Sequence, residues 1–93
     1  MNGFTKQTYE EFPVAVDFSE NMEDGETIST PSVTAVEEGS GEVAQVVDTP
    51  TAQGQSVVAR VSGGEAGKMY LLEFRAETST GNKWALDIGM NVE

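Results

Sequence analysis

An all-β, antiparallel sandwich of roughly six to seven strands is the fold class this sequence predicts. The first reason lies in the last quarter of the chain. Tyr70, Leu72, Phe74, Ala76 and Thr78 alternate with Leu71, Glu73, Arg75 and Glu77; after the turn Ser79-Thr80-Gly81-Asn82, Trp84, Leu86, Ile88, Met90 and Val92 alternate with Ala85, Asp87, Gly89 and Asn91. Side chains on a strand point to opposite faces with period two, so each run carries one apolar and one wetter face. The second reason is that turn signals recur roughly every ten residues, the rhythm of short strands joined by tight connections. The third is that no stretch shows a helical stripe with caps. Lys68–Thr78 has helix-forming composition, but the glycine-rich turn before it and the alternation after Tyr70 favour a strand.

The elements follow in order. Residues 1–11 are polar with isolated Phe4 and Tyr9, and read as a loose arm or a short edge strand. The single domain is expected over residues 12–93. Phe12, Val14, Val16 and Phe18 share one face of a strand, and Pro13 near its start suits an edge because proline cannot donate to a ladder. Ser19–Glu26 is an acidic loop closing on the turn signal Asp24-Gly25. Thr27–Val36 has strand composition, but Ile28 and the pair Val33 and Ala35 have opposite parity; a bulge near Thr30-Pro31 reconciles them. Glu37–Glu42 reads as a hairpin loop, Val43–Val47 as a short third strand, and Asp48–Gln55 as another loop. Ser56–Val61 is a strand with Val57, Ala59 and Val61 inward, and Ser62–Gly67 is the turn into the last two strands.

The totals bound the function. The 93 residues suit one domain, and a chain that starts with Met and stops one residue after its last apolar position reads as a complete small product. Sixteen Asp and Glu against five Lys and Arg give a formal charge of −11, which repels phosphate backbones and anionic lipid; neither nucleic acid nor membrane is an expected partner. Cysteine and histidine are both absent, so disulfides, thiolate or imidazole metal sites and Ser-His or Cys-His catalysis are excluded. No apolar run suits a membrane helix, and the N-terminus lacks the apolar core of a signal peptide.

Each candidate for chemistry has a plainer alternative. Asp17, Glu20, Glu23, Asp24 and Glu26 form the densest acidic cluster and are weak candidates for calcium, which takes six to eight oxygens. Their spacing does not fit an EF-hand, and a solvated loop is the plainer reading. Trp84 is either a stacking platform for sugar, with Tyr9 or Tyr70, or core filling on the parity of Leu86, Ile88, Met90 and Val92. Arg60 and Arg75 would balance Glu73 or Glu77 across a sheet. Among 16 acidic residues some pair will always have acid–base spacing, but nothing marks two of them as pocketed, so neither an enzyme nor a cofactor is expected. Gly67-x-x-Tyr70-x-Leu72-x-Phe74-x-Ala76 has the shape of the penultimate strand of immunoglobulin-like sandwiches, where a tyrosine near the strand start sends its hydroxyl to a backbone group at the corner. The alternative is that Tyr70 is an ordinary strand aromatic.

Taken together, Val14-x-Val16-Asp17-Phe18-Ser19, the turn Asp24-Gly25-x-Thr27-Ile28 and Ser32-Val33-Thr34-Ala35-Val36 resemble the first half of small bacteriophage and prophage structural proteins. Gly64-x-x-Gly67-x-x-Tyr70-x-Leu72, Thr78-Ser79-Thr80-Gly81 and the strand Trp84 to Val92 are similar to the second half. The resemblance spans most of residues 12–92 and departs at Pro31 and in the long acidic loop. It implies an immunoglobulin-like sandwich with a non-enzymatic structural or accessory role in a virion, acting through other virion proteins or self-association, located in the particle or in the host cytoplasm during assembly. It carries over no catalytic residues. An outward patch of Leu71, Arg75 and Ala85 is the expected contact, with Tyr70, Leu72, Phe74, Trp84, Leu86 and Ile88 structural. A carbohydrate-binding or adhesive module is the alternative.

Overall fold

The computed structural model describes residues 2–93. Seven strands are formed: β1 (Asn2–Lys6), β2 (Phe12–Asp17), β3 (Ile28–Glu37), β4 (Val47–Gln53), β5 (Ser56–Val61), β6 (Met69–Thr78) and β7 (Lys83–Val92). They build two sheets, one in the order β1-β7-β6-β3 and the other in the order β2-β5-β4. Neighbours run antiparallel except β1 and β7, which are parallel. No described residue is helical, Lys68–Thr78 included.

Alternation sets the layers. In β6, Tyr70, Leu72, Phe74, Ala76 and Thr78 are all buried. Across the sandwich Val57, Ala59 and Val61 of β5 are buried, and their register partners on β2 are Val16, Val14 and Phe12. Phe18, just past β2, fills the core beside them. The interior is aliphatic and aromatic, and its area removed from water is the main favourable term.

Strand β3 is irregular where its parity changes. The register to β6 shifts between Ile28 and Thr30, so Ile28 and Ala35 both point inward despite their opposite parity. The bulge lies at Ser29, one residue before the expected position.

The expected third strand is corrected. Val43 makes only an isolated bridge to Val36, and the strand proper is β4, which occupies most of the segment read as a loop. Val47-Asp48-Thr49-Pro50-Thr51-Ala52-Gln53 shows no apolar alternation because it lies at a sheet edge with most side chains in water. A register shift between Asp48 and Thr51 and a positive φ of 54° at Thr49 distort it further.

Of the segment 1–11, Met1 lies outside the described residues. Asn2–Lys6 form β1, whose register against β7 runs from Asn2 opposite Ile88 to Lys6 opposite Val92. Phe4 turns toward the core and meets Phe12 edge to face, with ring centroids 5.8 Å apart.

Candidate functional site

The acidic loop does not gather its carboxylates. Asp17 accepts the Ser19 amide at 2.8 Å, which lowers its pKa. Glu26 turns inward, at 4% exposure, and Glu20, Glu23 and Asp24 stay in water. Among the described residues no group of three acidic side chains is placed to hold a metal ion.

Glu26 instead fastens one end of the sandwich. Thr80 Oγ1 donates to Glu26 Oε2 at 2.6 Å, and the Glu23 amide donates to Oε1 at 2.9 Å. Thr78 Oγ1 lies 3.1 Å from Thr80 Oγ1. The hydroxyls of Thr78 and Thr80, followed by the Glu23 amide, hold the carboxyl down at about 2. Gln55 Nε2 donates to the Glu23 and Glu26 carbonyls at 2.9 and 3.0 Å, and the Ser79 amide donates to the Thr27 carbonyl at 2.8 Å. The loop is therefore stitched to the β4–β5 and β6–β7 turns. The loop reading missed this; Thr78-x-Thr80-x-Asn82 is the sequence feature that supplies the donors.

At the other end of β6 the Tyr70 hydroxyl accepts the Glu65 amide at 2.9 Å. Val92 and the Tyr70 ring leave no room for a side chain at Gly64: a Cβ there would stand 2.9 Å from Val92 Cγ2 and 3.3 Å from Tyr70 Cε2, at a φ of +89° that already favours glycine. Lys6 is buried at 1% exposure, and its Nζ donates to the Gly63 and Gln7 carbonyls at 2.6 and 2.7 Å. Nothing in the sequence marks this lysine except that it shares parity with Phe4.

The outward face of the four-stranded sheet carries Leu71, Arg75 and Ala85. Arg75 stands opposite Ala85, and Leu71 stands opposite Gly89. Arg75 and Ala85 are exposed; Leu71 is half-buried. Arg75 Nη2 and Nε both approach Glu73 Oε1 at 2.6 Å, an exposed pair of small energetic value. Arg60 lies on the other sheet, so the expected pairing with Glu73 or Glu77 does not form; its nearest carboxylate is Glu11, at 4.0 Å. An open groove of about 470 Å³ runs over this face, lined by Arg75, Ala85, Thr30, Ser32, Lys83 and Trp84 among others.

Trp84 and Leu86 are half-buried against the core, whereas Ile88 further along the strand is buried. The Trp84 indole N–H is enclosed and finds no acceptor among the described residues. Tyr70 is buried with its hydroxyl engaged inside and so offers no face for stacking a sugar, and Tyr9 is 94% exposed.

Residues 6–88 match a protein-family model described as podophage GP4 fiber-tail adaptor protein gp77. The chain belongs to this family. It is a phage structural protein, which agrees with an architecture spent on sheets and fastened ends. No curated protein matches it.

Proposed function

We propose that the chain is a non-catalytic adaptor of the phage tail that joins a fibre to the tail through protein–protein contacts. The observation that carries this reading is the family match across residues 6–88. An immunoglobulin-like sandwich is supported by the sheet orders β1-β7-β6-β3 and β2-β5-β4 and by the Tyr70 corner bond. The contact surface in this reading is the outward face of the four-stranded sheet, with Leu71, Arg75 and Ala85 flanked by small side chains that let a partner approach closely. The net charge of −11 favours a basic partner surface and opposes self-association. In the particle, the protein belongs with the tail.

The test is genetic and compositional. Virions from a phage deleted for this gene are compared with wild type by electron microscopy and mass spectrometry. The reading expects tails without fibres and restoration by the gene in trans. Fully fibred, infectious particles from the deletion would overturn it.

A further inference from the structure

Resting on that adaptor reading, we infer that the Lys83–Asp87 half of β7 is an open strand edge that receives an extended, cationic segment of another virion protein. The segment would add to the four-stranded sheet in line with β1.

The edge follows from the register. β1 pairs with β7 only from Ile88 to Val92. Val92 gives its amide to the Lys68 carbonyl and accepts the Gly67 amide, both toward β6, while the Glu93 amide goes to the Lys6 carbonyl, toward β1. Backbone groups alternate sides along a strand. The N–H and C=O of Lys83 and Ala85 and the N–H of Asp87 therefore face the side where β1 has stopped, the Asp87 carbonyl being the last group of β7 to meet β1, at the Asn2 amide. Among the described residues no strand pairs with Lys83–Asp87 on that side. The slot takes five residues, about 16 Å of strand at ~3.3 Å each.

The other edges are guarded. The chain has three prolines, and each lies in a different edge strand: Pro13 in β2, Pro31 in β3 and Pro50 in β4. The Phe18 amide bonds Gln55 on the β5 side, so the odd residues of β2, Pro13 included, face outward. The Glu38 amide bonds Met69 and the Ala35 carbonyl accepts Ala44, so Pro31 also faces away from β6. Pro50 sits where the β4 register shifts. Proline and bulges blunt an edge against strand addition. β1 is itself short, which is another form of guarding. The Lys83–Asp87 half of β7 carries neither a proline nor a bulge.

The occupant is set by chemistry. A row of amides and carbonyls at strand spacing is satisfied by another strand. Trp84 and Leu86 are only half-buried, so apolar residues two apart on the incoming strand would cover more of them. A second copy would bring −11 against −11. A segment bearing lysine or arginine answers that charge and the adjacent Asp87, Glu73 and Glu77, which outnumber Lys83 and Arg75 on the same face.

The test uses the full chain with the purified fibre and tail proteins of the same phage as probes. Affinity is measured for the unaltered chain, for A85P, which removes one outward amide without touching the β6 ladder, and for A15P, which makes the same change on the guarded β2 edge. Binding to one probe is expected, with loss of at least about tenfold in A85P, little change in A15P, and hydrogen-exchange protection gained at Ala85 and Asp87. If A85P does not fold, Asp87→Pro carries the same expectation. Equal affinity of the folded edge variant and the unaltered chain overturns the edge inference and leaves the adaptor reading standing. Failure of every fibre and tail protein to bind the unaltered chain overturns both.

Discussion

The two halves of β7 have the same alternation and different fates. In the Ile88–Val92 half, β6 lies on one side and β1 on the other, and Met90 and Val92 are at 0% and 1% exposure. In the Lys83–Asp87 half β6 remains but β1 has ended, and Trp84 and Leu86, on the same face, are only half-buried. The strand sequence does not cause the contrast; the presence of a neighbour does. Burial of an inward residue thus reports which strand lies beside it as much as its own hydrophobicity.

That contrast breaks most readily by truncating the inward side chains. Met90→Ala should cost about 2–5 kcal/mol, because a fully enclosed side chain leaves a cavity the surroundings cannot close. Leu86→Ala should cost less than half as much in the same denaturant titration, since its side chain already meets water. Equal costs would mean the two halves are equally packed.

The closed half also depends on Lys6, whose ammonium satisfies two carbonyls next to Val92. Lys6→Met keeps the buried stem and removes the donors, so the Gly63 and Gln7 carbonyls lose their partner. We expect a loss of about 1–3 kcal/mol by chemical denaturation. Unchanged stability would show that those carbonyls reach water.

The open half lacks β1 but is anchored by its turn, and Glu26 is the anchor. Its carboxyl sits at about 2 in the folded chain against 4.5 ordinarily. A depressed carboxylate contributes stability that is fully present above its unfolded value and is lost as pH falls through the folded one. The stability gap between the wild type and Glu26→Gln should therefore be widest above pH 4.5 and close progressively toward pH 2. A gap that does not change over this window would remove Glu26 as the fastener. The smallest effect belongs to Ala85→Pro in the isolated chain, which should shift stability by no more than about 0.5 kcal/mol because the lost amide has no partner there.

Much of this arrangement was legible in the residues. The inward sets of β5, β6 and β7 are almost entirely apolar, so period two alone placed them. β4 escaped because both faces of an edge strand with a proline and a bulge are polar. The parity conflict between Ile28 and Ala35 located a bulge to within one residue, since only an extra residue can turn both inward. Glu26 and Lys6 were hidden for a shared reason: a charged side chain in a polar segment reads as solvated until its hydrogen-bond partners, distant in sequence, are brought against it. The outward patch of Leu71, Arg75 and Ala85 follows from parity, but the open edge beside it does not. It depends on where β1 stops, which nothing local to Lys83–Asp87 encodes.

That β7 has one covered and one uncovered half is tested most directly by amide hydrogen exchange along that strand in the free protein. The Gly89 and Asn91 amides should be protected by β1, while those of Ala85 and Asp87 exchange close to the rate of unstructured chain. Uniform slow exchange from Ala85 to Asn91 would contradict it.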